Sequence, residues 1–349
     1  MKVQKYELAN AIGKLKNVVP SKTTIPVLQN LLVKDGYLTA NNTNMSVRVK
    51  VPGLEGTFLI PQKAFDVINS MPIGEIEIIP SREEISLKIG TIKSTFMTQR
   101  AEEFPLQAVV STGNESTVKA DMLTSSISKV IWAIGKENSA QEMMGCLYMK
   151  AENGLLNFVC LDGHVIAWDQ QVYDGEFEVL IPRSAAMKLM SVDLEGDVRI
   201  VKCDNAVSFL SDTVEVTTRI VSGKYYDFQK MYIDMPYKSE VYRKHIVNAI
   251  TRVKCCMSAD DKRPVRIRMN PNMMSLTYIG SGANIHEVLE SSGSEDMSIE
   301  IGFNPVLLQE ALKVFESELI DIHVTNPKYP AIITCDSENL KACVLPVAL

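Results

Sequence analysis

Apolar residues recur along this chain in two rhythms, one of two residues and one of three to four. Alternation in Glu75-Ile76-Glu77-Ile78, Ile85-Ser86-Leu87-Lys88-Ile89 and Val198-Arg199-Ile200-Val201 predicts strands with one buried face. The longer rhythm sets Leu8, Ile12 and Leu15 on one helical face, then Leu123, Ile127, Val130 and Ile134, then Ile246, Ile250, Val253 and Met257. A second kind of helix starts directly out of a strand. Phe58-Leu59-Ile60-Pro61 runs into Ala64–Ile68, Val179-Leu180-Ile181-Pro182 into Ala186–Met190, and Ile301-Gly302-Phe303-Asn304-Pro305 into Val306–Leu312. Proline at or near the first helical turn fits, because the amide it lacks has no partner there anyway.

These landmarks keep one period. Pro61 and Pro182 are 121 residues apart, Pro182 and Asn304 are 122, and Phe104 and Tyr225 are 121. Polar turns at Asn42-Thr43-Asn44, Leu161-Asp162-Gly163 and Ser281-Gly282 follow the second strand of each copy. A period this long describes whole domains rather than solenoid units of about 20–50 residues. The expectation is three similar domains, 1–116, 117–238 and 239–349, each with two helices and about eight strands. That is an α+β class with the helices on one side of antiparallel sheets.

Charge sharpens the picture. The chain carries a net −6, but the six predicted helical stretches carry +7, which leaves −13 for the strands and loops. Helices with a basic face, on one side of three repeats, would offer one surface to phosphates while the rest repels them. The seven cysteines, Cys146, Cys160, Cys203, Cys255, Cys256, Cys335 and Cys343, show no paired zinc-ligand spacing and read as reduced, packed thiols; no metal or cofactor is expected. No apolar run approaches the roughly 20 residues that cross a bilayer, and no secretory leader is visible, so a cytoplasmic protein is expected. Phosphate-binding loops, nucleophile elbows and H-E-x-x-H are all absent. Asp162-Gly163-His164 is the one acid–base-like triple, and it has no nucleophile beside it, so a structural or binding histidine is the better reading.

Several stretches resemble the bacterial sliding clamp family, the beta subunit of DNA polymerase III. They are Thr24–Leu32, Leu161-Asp162-Gly163-His164, Leu180–Arg183, Ser222–Asp227, Glu300–Asn304 and the terminal Val344–Leu349, in family order over essentially the whole chain. The resemblance implies the DNA clamp fold, with two copies closing head to tail into a ring of six domains around duplex DNA. It implies a non-catalytic processivity factor whose partners are double-stranded DNA held without regard to sequence, the polymerase III alpha subunit, the clamp loader and other proteins bearing clamp-binding peptides. The basic residues such a lumen would use are Lys5, Lys14, Lys16, Lys129, Lys136, Arg243, Arg252 and Lys254 on helices, with Lys22 on a loop. Phe104 would meet the helix end at Cys256-Met257 of a second copy.

The family's peptide pocket, carried over by position, is expected at Leu161, Gly163, His164, Val165 and Ile166, with Pro182 and Ala186 from the next helix start. Asn304, Leu307, Pro330, Cys343, Leu345, Pro346 and Val347 complete it from the third repeat. Three departures bear on peptide preference. Val165 and Ala348 stand where the family commonly has arginine, and Ser139–Met144 lacks the usual aromatics, which makes the cleft greasier. The competing reading is a clamp-fold scaffold or decoy that binds clamp partners without encircling DNA.

Overall fold

The structure is a computed structural model that describes residues 1–137, 141–258 and 260–349. It contains 24 strands and six α-helices among the described residues, and one order of elements occurs three times. The first run is β1 (Lys2–Gln4), α1 (Lys5–Leu15), β2 (Asn30–Lys34), β3 (Tyr37–Asn41), β4 (Met45–Lys50), β5 (Phe58–Pro61), α2 (Lys63–Ser70), β6 (Glu75–Pro80), β7 (Glu84–Ile89) and β8 (Ile92–Met97). The second is β9 (Asn114–Lys119), α3 (Ala120–Val130), β10 (Cys146–Glu152), β11 (Leu155–Leu161), β12 (Val165–Val172), β13 (Phe177–Pro182), α4 (Arg183–Ser191), β14 (Asp197–Lys202), β15 (Ala206–Leu210) and β16 (Val214–Arg219). The third is β17 (Tyr237–Tyr242), α5 (Arg243–Cys255), β18 (Val265–Asn270), β19 (Met273–Ile279), β20 (Asn284–Gly293), β21 (Ile299–Phe303), α6 (Pro305–Lys313), β22 (Leu319–Val324), β23 (Ala331–Cys335) and β24 (Glu338–Val344). The strand and helix numbers expected per repeat are met.

Compactness divides the chain into two units. Met1–Thr124 with Ser184–Ile220 holds a four-stranded sheet, β1-β6-β7-β8, and an eight-stranded one, β5-β2-β3-β4-β16-β15-β14-β9. Ser125–Arg183 with Val221–Leu349 holds a twelve-stranded sheet, β13-β10-β11-β12-β24-β23-β22-β17-β20-β19-β18-β21. Strands of different repeats are therefore stitched edge to edge. β4 pairs with β16, Met45 opposite Thr218, and β12 pairs with β24, Val165 opposite Val344. These junctions explain why the second repeat is shared between the units: each half is hydrogen-bonded to a neighbour.

The helices bury the faces that their periodicity predicts. Leu8, Ala11, Ile12 and Leu15 of α1 are buried, as are Ile246, Ala249, Ile250 and Val253 of α5. Two helices stop earlier than expected. α3 ends at Val130, ahead of Ile134, because the Trp132 indole N–H donates to the Lys129 carbonyl at 3.0 Å and Ile131–Ala133 tightens into a 3₁₀ turn. Met257 lies beyond α5, which ends at Cys255. α6 ends at Lys313, one residue past the expected Leu312, and just beyond it the Glu338 carboxylate accepts the amides of Glu316 and Ser317 at 2.7 and 3.1 Å. No described helix is long and apolar enough to cross a membrane.

Candidate functional site

The β11–β12 turn is shaped by its own side chain. Asp162 Oδ1 accepts the amides of His164 and Val165 at 3.0 and 3.2 Å, and Gly163 sits at φ 88°, where a Cβ would be strained. This aims the His164 ring outward, with its side chain 74% exposed. Its carbonyl turns inward and accepts the Leu345 amide at 2.8 Å, continuing the β12–β24 ladder by one bond into the C-terminal tail. Two residues on, the Val347 amide donates to the Gly302 carbonyl at 2.8 Å. Pro346 between them has no amide to satisfy. The tail thus joins the turn of the second repeat to β21 of the third.

Behind the turn lies an apolar floor. Leu161, Ile166 and Cys343 are buried there with Trp168, Leu180, Tyr225 and Phe228, and Leu345, Met143 and Met144 pack against them half-buried. Tyr225 stacks on Tyr148 at 4.5 Å between ring centroids, and the Tyr148 hydroxyl donates to Glu178 at 2.8 Å. Burial pushes the Cys343 thiol up to about 12 and the Tyr225 hydroxyl well above its usual range, so both stay protonated and act as packing groups. Val165, at 1% exposure, is interior rather than lining.

The remaining expected pocket residues divide. Pro182 ends β13 opposite Cys146 and is half-buried, Leu307 is half-buried on α6, and Pro330 directly precedes β23. Asn304 acts locally, its Oδ1 capping α6 by accepting the amides of Val306 and Leu307 at 2.9 and 3.4 Å. Ala186 belongs to the first unit and is fully buried there. Of the loop lacking aromatics, Ser139 and Ala140 lie outside the described residues, while Met143 and Met144 are present at the floor. Sequence reasoning missed Phe228 and Tyr232 of the segment before β17. The Tyr232 hydroxyl reaches the carbonyls of Ile166 and Lys341, both at 3.3 Å. The aromatic run Tyr225, Tyr226, Phe228 and Tyr232 between repeats was the available signal.

The basic residues are less free than their charge suggests. Lys14 pairs with Asp193 at 3.5 Å and Lys129 with Glu338 at 3.2 Å, both with lysine side chains under 20% exposed. Arg252 forms a two-point pair with Glu287, its Nε 2.9 Å from the carboxylate. Lys254 donates to Gln309 at 2.7 Å, and Arg243 to the Ser317 carbonyl at 2.8 Å. Lys16, Lys22 and Lys136 are exposed and Lys5 is half-exposed, without an ion pair among the described residues. At the expected subunit contact, Phe104 is 5% exposed in its own core with Val27, Leu28, Leu32 and Leu59. Cys256 is exposed and Met257 half-buried. No group of three metal-ligating side chains occurs among the described residues.

Solved structures of bacterial sliding clamps share this fold. The DNA polymerase III beta subunit of Thermotoga maritima aligns over 100% of this chain and 99% of its own, with a TM-score of 0.91 and 21% identity. The Bacillus subtilis DNA polymerase sliding clamp aligns over 100% and 98%, with a TM-score of 0.92 and 20% identity. Among sequences, the beta sliding clamp of Chlamydia pneumoniae is 25% identical over 99% of this chain and 98% of its own length. Family models of the DNA polymerase III beta subunit match in order: the N-terminal domain at residues 1–108, the central domain at 117–227 and the C-terminal domain at 234–348. The chain therefore belongs to the DNA polymerase III beta subunit family, the bacterial beta sliding clamps. It is a sliding clamp of DNA replication, a non-catalytic processivity factor.

Proposed function

We propose that two copies of this chain close head to tail around duplex DNA and tether the polymerase alpha subunit, the clamp loader and other peptide-bearing partners in the cytoplasm. The domains that build the ring are 1–116, 117–238 and 239–349. The observation that carries the reading is a pair of unused strand edges. Junctions within the chain follow one rule: the fourth strand of one repeat pairs with the last strand of the next, as β4 with β16 and β12 with β24. β20 is the equivalent fourth strand of the third repeat, and over 284–290 it pairs only with β19 among the described residues. β8 is the equivalent last strand of the first repeat, and it pairs only with β7 among the described residues. Applying the same rule between copies joins β20 of one to β8 of the other. That contact is heterologous, and repeating it twice closes a dimer.

Exposed apolar residues on both strands support the pairing. Ile92 and Met97 on β8 are 42% and 72% exposed, and Val288 on β20 is 52% exposed. The tail, the His164 turn and the half-buried Leu345 and methionines set apolar surface beside a few polar groups, the usual composition of a ligand site. The test is sedimentation together with retention on DNA. The wild type should sediment as a dimer and, once loaded, remain on circular DNA but run off the linearised form. A variant with Ile92→Glu and Met97→Glu changes only exposed side chains of the single chain, so it should keep its fold and sediment as a monomer. Equal retention on circular and linear DNA by a wild-type dimer would refute encirclement and favour the scaffold reading.

A further inference from the structure

The first inter-repeat junction repeats the construction of the second down to single hydrogen bonds. Asn42 Oδ1 accepts the amides of Asn44 and Met45 at 3.2 and 2.9 Å, as Asp162 does for His164 and Val165. Thr43 holds the left-handed position of Gly163, at φ 74° against 88°. The Asn44 carbonyl accepts the Arg219 amide at 3.0 Å, just as His164 accepts Leu345. A threonine forced to positive φ carries a conformational cost that a glycine would not. The turn is thus kept in this shape at both junctions.

Beside this turn lies a cleft of about 810 Å³, wholly within the first unit. Its apolar walls are the inter-repeat segment with Val109 and Val110, facing Ala206 and Ile220. Arg219 is the single charged lining residue, and it has no ion pair among the described residues.

We propose that this cleft is a second docking site, for an extended peptide that carries an aliphatic residue next to an aspartate or glutamate. The aliphatic side chain would lie between Val110 and Ile220, and the carboxylate would meet Arg219. The aliphatic and acidic groups follow from the apolar walls and Arg219; that the occupant is a peptide rests on the reading of the second junction, none of whose residues this site needs. It would let one ring hold two kinds of partner per subunit.

The experiment uses the intact chain, read at methyl groups that line the first-junction cleft alone. The probe is the acetylated, amidated tetrapeptide Leu-Asp-Leu-Ile, with Leu-Lys-Leu-Ile as its charge-reversed control. Methyl NMR of selectively labelled valine and isoleucine should show saturable shifts at Val109, Val110 and Ile220. Arg219→Glu should weaken the acidic peptide at least tenfold, and Ala206→Trp, which fills the cleft, should remove the shifts. No shift at these methyls up to millimolar peptide, or equal binding of the lysine control, overturns the proposal. The reading of the second junction is tested separately in the intact chain by shifts at Ile166 and Leu345, so either can fail alone.

Discussion

Lys188 of α4 is a lysine with 6% exposure, and its ammonium donates to the Lys14 carbonyl in the last turn of α1. Burial lowers its pKa to about 8. In the unfolded chain the amine holds its proton to about 10.4. Between those values the folded form binds fewer protons, so this group's contribution to stability rises with pH through that window. Chemical denaturation from pH 7 to 10.5 should show the wild type gaining on Lys188→Met by up to ~3 kcal/mol; parallel pH curves for the two proteins would rule this out. Single residues were the hardest thing to read from the chain. His164 was legible because a D-G-H turn presents its third side chain. Asn304 and Val165 were expected to line the pocket, but a cap and an interior position claim them, and neither role leaves a mark beyond residue type. Phe104 looks the same in sequence whether its ring packs within its own domain or against another copy.

Gly302 governs the tail at the scale of one element. A Cβ there would lie 2.6 Å from both the Val347 carbonyl oxygen and Leu349 Cδ2, so even alanine must push the tail off β21. Gly302→Val should leave β18–β21 pairing, dimerisation and fold intact. It should expose the Val347 amide to hydrogen exchange and weaken a polymerase-derived peptide about tenfold, or ~1.4 kcal/mol. An unchanged Val347 exchange rate would show that the tail is held elsewhere. Exposure of Val347 without loss of peptide affinity would instead remove the tail from the docking site. Elements were legible where their rhythm was long, as in α1 and α5. They were less so at their ends, as where α5 stops at Cys255, short of the expected Met257.

At the scale of the molecule, the threefold repeat was plain because strand-to-helix turns with proline return at a fixed interval. The junction registers were not, since β4 and β16 lie far apart in sequence and nothing in either strand names its partner. The charge split was visible too, but not how far it is neutralised by local pairs. With Lys14, Lys129 and Arg252 paired within the chain, Lys5, Lys16, Lys22 and Lys136 are the members of the nine DNA-facing candidates whose side chains have neither an ion pair nor a hydrogen bond among the described residues. Reversing Lys16, Lys22 and Lys136 to glutamate should flatten the salt dependence of DNA binding, by up to ~0.9 in log–log slope per lost phosphate contact. The equivalent reversal of Lys129 should instead cost stability, because it sets two carboxylates against each other at Glu338. A salt slope that is unchanged by the first set, or most sensitive to Lys129, would put the DNA face elsewhere.

The tail's single bridge to Gly302 has a second result. β21 is the last strand of the twelve-stranded sheet, and an uncovered outer strand is a template on which further chains can be added without limit. Val347 occupies that template, and Pro346 beside it offers no amide to an incoming strand. The same five residues that would receive a polymerase peptide therefore also act as a stopper against runaway self-assembly, and a clamp stripped of them is open to fibril growth as well as to loss of its partners.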